Sequence, residues 1–188
     1  MAFIVVYDAC VLFPAPLRDL FVRLNLTGLF QAMWTGQILD ECFRGIREKR
    51  PDLRPERLAR SRQVFEDAMP EGQVKGYEAL IAGLTGLPDP DDRHVLAAAI
   101  RCGAQAIVTF NLKDFPRKVL ARYDMEAQHP DEFVLNLIDL DAAAVAQVIQ
   151  EQAAALKNPR KTVAELLDVL RQQGLVGSVE SLQHLLET

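Results

Sequence analysis

Four acidic side chains, Asp8, Glu41, Asp92 and Asp114, stand on four separate elements that could converge at one edge of a sheet, and a buried carboxylate such as Asp8 is costly unless it is paired, capped or bound to metal. Asp8 ends the apolar run Phe-Ile-Val-Val-Tyr at 3–7. A strand of that kind is buried on both faces, and its carboxyl end is where open α/β sheets place ligands. Asp114 and Asn111 follow a second such run, Ala-Ile-Val-Thr at 106–109, and should emerge on the same edge, with Thr109 closing the strand. Asp89, Asp91 and Asp92 crowd one helix start. One acid there serves as a cap, but three like charges together call for a nearby cation. Glu41 sits mid-helix at the margin of an apolar face. Its competing role is an ordinary surface acid pairing with Arg44 three residues on. Oxygen ligands without a His or Cys cluster suit Mg²⁺ or Mn²⁺, ions that activate water and neutralise charge on a phosphodiester.

The elements that must position these acids are legible as pattern. Thr35 caps a helix expected to run to about Lys49, with Ile38, Leu39, Cys42 and Ile46 on one face. Leu17, Leu20, Phe21 and Leu24 recur at helical spacing after Pro14 and Pro16, and another helix is expected over about 56–68. Asp89 caps a helix opened by Pro90 and stopped by Gly103. Strands alternating with helices imply an α/β domain with a parallel sheet over residues 1–130. Residues 131–188 read as an all-helical extension. One helix is expected over about 141–156, a second is opened by the capping box Thr162-Val-Ala-Glu165 and closed by Gly174, and a third is capped by Ser178.

The chain's 188 residues, 49% of them apolar and 25% charged, describe an ordinary globular protein. No apolar run is long enough to span a bilayer, and the start carries no signal-peptide pattern. Three scattered cysteines, Cys10, Cys42 and Cys102, fit reduced thiols in a cytoplasmic setting. The net charge of −5 runs against binding of a polyanion, yet residues 1–130 hold 17 basic and 17 acidic side chains, so the excess lies in the extension. The stretch 41–62 is locally basic.

Four segments, in this order, resemble the PIN-domain nucleases and in particular the VapC-like toxins of toxin–antitoxin pairs. They are Val5-Val-Tyr-Asp8-Ala-Cys-Val-Leu, Ile38-Leu-Asp-Glu41, Asp92-Arg-His-Val-Leu-Ala-Ala-Ala and Val108-Thr-Phe-Asn111-Leu-Lys-Asp114-Phe-Pro. The resemblance covers about residues 3–125. It implies a Rossmann-like parallel sheet flanked by helices, an acidic pocket holding Mg²⁺ or Mn²⁺, and endoribonuclease activity. It makes Asp8, Asp92 and Asp114 metal ligands, Glu41 a ligand or water-orienting base, and Thr109 and Asn111 supports of the pocket. Arg44, Arg93 and Lys113 become contacts for RNA phosphates. Asp92 is preferred to Asp91 by its distance to Ala97 and Ala99. Asn111 stands where many members carry Asp, so Asp114 replaces it. Cys10 departs from the Ser, Thr or Asn usual two residues after the first acid. The expected partners are RNA and a cognate antitoxin, with room for a homodimer and none for a membrane. The alternative is a PIN-fold protein that binds RNA or a partner without cleaving. A phosphatase with a nucleophilic Asp8 is disfavoured because position 10 is Cys rather than a second Asp.

Overall fold

The computed structural model describes residues 3–186, so residues 1–2 and 187–188, the outer ends of the two expected regions, lie outside the described residues. The chain begins with β1 (Ile4–Tyr7), α1 (Ala9–Leu12), α2 (Ala15–Leu26), β2 (Gln31–Met33), α3 (Gly36–Lys49) and α4 (Pro55–Ala68). The short α5 (Glu78–Ile81) and a 3₁₀ turn at Pro90–Asp92 lead into α6 (Arg93–Cys102), β3 (Ala106–Val108), α7 (Arg117–Leu120) and β4 (Glu126–Gln128). Then come α8 (Pro130–Ala155), α9 (Val163–Gln172) and α10 (Val176–Leu186). The four strands form one parallel sheet in the order β2-β1-β3-β4, flanked by helices.

The central strands β1 and β3 are the two apolar runs, and β3 is buried at every position. Both lie inside the sheet, so both faces must be apolar. The edge strands β2 and β4 escaped the sequence reading. Each has three residues, and Gln31-Ala-Met and Glu126-Ala-Gln carry no apolar run. Pairing with a neighbour, rather than intrinsic pattern, makes them strands.

Helix boundaries follow local chemistry. Thr35 caps α3 by accepting from the Ile38 amide, and Gly103 ends α6 in the left-handed conformation at φ +67°. Asp89 caps the 3₁₀ turn before α6 by accepting from the Asp91 amide at 2.9 Å.

The extension differs in detail from expectation. Its first helix starts at Pro130 instead of about 141, because the break at Asp141 (φ −153°, ψ 86°) is a kink inside α8. The Asp141 side chain re-caps the second half by accepting from the Ala144 amide at 2.9 Å. Phe133 of α8 stacks on Phe21 of α2 at 6.1 Å and meets Phe30 edge-on at 4.9 Å, tying the extension to the sheet's helices. Ser178 does not cap α10; it lies buried inside that helix. The cap comes from Asp131 on α8, whose carboxylate accepts from the Gly177 and Ser178 amides at 2.8 Å each and from the Ser178 hydroxyl at 2.6 Å. Sequence spacing could not show this, since donor and acceptor are far apart in the chain. Asp131→Ala removes the cap and one of the two acceptors of the buried Ser178 hydroxyl, which keeps the residue-131 carbonyl at 2.9 Å. The substitution should lower stability by about 2–3 kcal/mol, read from a urea midpoint at constant m-value.

Candidate active site

Asp8 is the fixed point. Parallel register pairs Tyr7 with Val108, so Asp8 and Thr109 leave their strands side by side. The Asp8 amide donates to the Val108 carbonyl at 3.1 Å, extending the ladder one step. The Asp8 carboxylate is 6% exposed, and both oxygens are engaged. Oδ1 accepts from the Ala9 amide at 2.7 Å, which caps α1. Oδ2 accepts from Thr109 Oγ1 at 2.7 Å and from Cys10 Sγ at 3.2 Å.

Cys10 therefore occupies the place of the expected hydroxyl or amide and supplies the same donor function. Burial first, and the neighbouring Asp8 charge second, push its thiol up to about 12, so it stays protonated and able to donate. Cys10 Sγ also accepts from the Phe110 amide at 3.4 Å, joining α1 to the loop after β3. Thr109 is fully buried, and its hydroxyl accepts from the Asn111 amide at 3.0 Å. Asn111 supports this corner through its backbone, with its side chain exposed.

Thr109→Val keeps the shape but removes the donor to Asp8 and the acceptor for Asn111. Stability should fall by about 1–2 kcal/mol in denaturant titration. Any activity that depends on Asp8 should fall about 10–100-fold in a single-turnover assay.

Asp92 ends the 3₁₀ turn before α6 with no hydrogen bond to its side chain. Its carboxyl is pushed up to about 6, by partial burial first and then by the charges of Asp8, Asp89 and Asp114, with His94 opposing. The charges of Asp8, Asp89 and Asp114 thus all reach Asp92. Asp91 is exposed, and Asp89 is occupied as the cap. Asp114 lies in the 3₁₀ turn Leu112–Asp114 after β3, half-buried, with no hydrogen bond to its carboxylate.

Glu41 takes a different route to this region. Its Oε1 lies 2.9 Å from Nε2 of His94, on the first turn of α6, rather than beside Arg44. His94 is 2% exposed, and neither ring nitrogen has hydrogen-bond geometry to a partner, so the contact is a close polar approach. Sequence reasoning passed over His94 as one of three scattered histidines. Its position two residues after Asp92 on an otherwise apolar helix face was the available signal.

Among the predicted phosphate contacts, Arg44 and Lys113 are exposed, Arg93 is half-buried, and none forms an ion pair among the described residues. Arg93 Nε is buried without an acceptor.

Among the described residues, no three His, Cys, Asp or Glu side chains stand together as a ready-made metal cage. The chemistry of the donors nevertheless fits a hard divalent cation. All three candidate ligands offer carboxylate oxygen, and after burial the charges of Asp8 and Asp114 help to raise Asp92, a repulsion that a cation would relieve. Asp8 is locked, while Asp92 and Asp114 carry no hydrogen bonds that would oppose side-chain rotation toward it.

A short-stranded parallel sheet with acids gathered at the carboxyl ends of its central strands is the arrangement of the PIN domain. The PIN domain family matches residues 4–113, more than half of the chain, and the protein belongs to that family. The VapC50 C-terminal domain matches residues 130–184, which contain the kinked α8, α9 and all but the end of α10. The chain is 45% identical over 98 residues to a Mycobacterium tuberculosis protein named "Putative ribonuclease VapC50". That alignment covers 52% of this chain and 57% of the relative, so it spans little more than half of either. No solved structure matches the chain. No helix among the described residues is long and apolar enough to cross a membrane.

Proposed function

We propose that this protein is a Mg²⁺- or Mn²⁺-dependent endoribonuclease, the toxin of a toxin–antitoxin pair, acting in the cytoplasm. Residues 1–130 form the nuclease domain and residues 131–188 the helical extension. The observation that carries the reading is the carboxyl of Asp92, raised to about 6 among Asp8, Asp89 and Asp114 at the sheet edge. Burial and neighbouring like charges disfavour the ionised form there, which marks the group as a functional-site candidate.

In this reading Asp8, Asp92 and Asp114 would hold a divalent cation, whose chemistry when bound would be to offset charge on a phosphodiester and to lower the pKa of water. Asp8 offers an oriented carboxylate because Ala9, Cys10 and Thr109 fix it. Glu41, held against His94, orients the attacking water or accepts its proton. Arg44, Arg93 and Lys113 hold the flanking phosphates, and Asn111 and Thr109 keep the loop after β3 in place. An antitoxin that offers an Arg to the carboxylates would silence the site.

Purified protein should cleave single-stranded RNA with Mn²⁺ or Mg²⁺ and stop when the ion is chelated. Equal cleavage by the wild type and an Asp8→Asn control would end the assignment and leave a PIN-fold binding protein.

A further inference from the structure

Beside the acidic site lies a cavity of about 520 Å³ that none of these roles uses. Its floor is apolar, with Phe13, Pro14, Ile46 and Leu58. Its polar groups are Arg18, Arg50, Arg57, Ser61 and, from the extension, Gln173. Among the described residues, no acid lines it.

Two constraints place the cavity next to the chemistry. Phe13 continues α1, which Asp8 caps, so the two residues are separated by about 7–8 Å of helix. On the other side, a Cβ on Gly174 would stand 3.1 Å from the ring of Phe110, whose amide donates to Cys10. Gly174 keeps φ +99°, so the turn carrying Gln173 is seated against the loop that follows β3.

The polar groups differ in availability. Arg18 is committed to the Leu12 and Phe13 carbonyls and to Ser61. Arg50 is bound to Asp52 by two hydrogen bonds. The Arg57 side chain makes no hydrogen bond or ion pair among the described residues and only feels the charge of Asp52. The Gln173 side chain has no hydrogen-bond partner among the described residues. An apolar floor, an uncommitted guanidinium and an uncommitted carboxamide match a nucleotide, with a flat base, a phosphate and a base edge to read.

We infer that this cavity holds one nucleotide of single-stranded RNA next to the cleaved bond, with Arg57 on its phosphate and Gln173 from the extension reading its base. The inference rests on the nuclease reading and extends it, making the helical extension part of sequence selection.

The test uses the full chain and a short fluorescent single-stranded RNA of mixed sequence. In an Asp92→Asn background, Arg57→Glu should weaken RNA binding about tenfold and reduce the salt slope by about one. In the active protein, Gln173→Ala should raise KM about fivefold at unchanged kcat and shift which bases flank the cut. Neither side chain makes a hydrogen bond, so both variants should melt as the wild type does. Unchanged binding, KM and cut pattern, with the wild type cleaving, overturns the subsite and leaves the nuclease standing. A wild type that never cleaves, but whose RNA binding Arg57→Glu destroys, sinks the nuclease reading and keeps the nucleotide site. If the variants spare RNA handling and abolish capture of a co-expressed partner polypeptide, the cavity belongs to that partner and the inference fails.

Discussion

Asp92→Asn should abolish RNA cleavage and at the same time make the cation-free protein more stable at pH 7. The two effects share one cause. Asp92 has a folded-state carboxyl near 6 against an ordinary value of 3.8, because burial and neighbouring acids disfavour its charge. A raised acid contributes stability that is fully present below its unfolded value and is lost as pH rises through its folded value. Across the window from about 4 to about 6, stability on this account therefore falls as pH rises. Above it, the ionised group is a burden on the fold. Allowing for water's access to the half-buried group, the burden is on the order of 1 kcal/mol. Asn carries no charge, so the variant should melt about 2–4 °C higher at pH 7 in chelator and lose the stability loss across that window. Adding Mn²⁺ should raise the wild-type melting temperature more than the variant's, since binding to the folded state stabilises by mass action. Activity should fall at least 100-fold in a cleavage assay, the scale expected when one group that stabilises transition-state charge is removed. A variant that loses stability, or that cleaves normally, would show Asp92 to be an ordinary first-turn acid.

At Asp8 the second large effect takes the opposite sign on stability. Asp8→Asn should also cut cleavage by at least about 100-fold, but it should destabilise the protein. The carboxylate accepts three hydrogen bonds, from Ala9, Cys10 and Thr109. A carboxamide can keep the bond from the Ala9 amide, but its NH₂ then faces two donors. The expected cost is about 1–3 kcal/mol in chelator, read by denaturant titration. Opposite stability shifts with a shared loss of activity would separate the anchored ligand from the strained one. A shared loss of stability would show that activity disappears only because the fold does.

The sequence by itself determined the central strands, the helices capped through local residues, and which acids stand at the ends of those elements. These are local matters. An apolar run ending in Asp8, a Thr35 cap and an Asp89-Pro90 start followed by a Gly103 stop act through neighbours in the chain, so their pattern is readable there. The tertiary structure alone decided what those acids touch. The edge strands β2 and β4 exist because β1 and β3 offer them partners, and their own residues carry no strand pattern. Glu41 meets His94 instead of Arg44 because the fold brings the first turn of α6 within 2.9 Å of it, whereas an exposed pairing along one helix is worth only a few tenths of a kcal/mol. Asp131 caps α10 from α8, and Gln173 reaches the cavity beside α1, by contacts between segments far apart in the chain. Such contacts become possible only once burial of the shared core has brought distant segments together, and spacing in the chain carries no record of them.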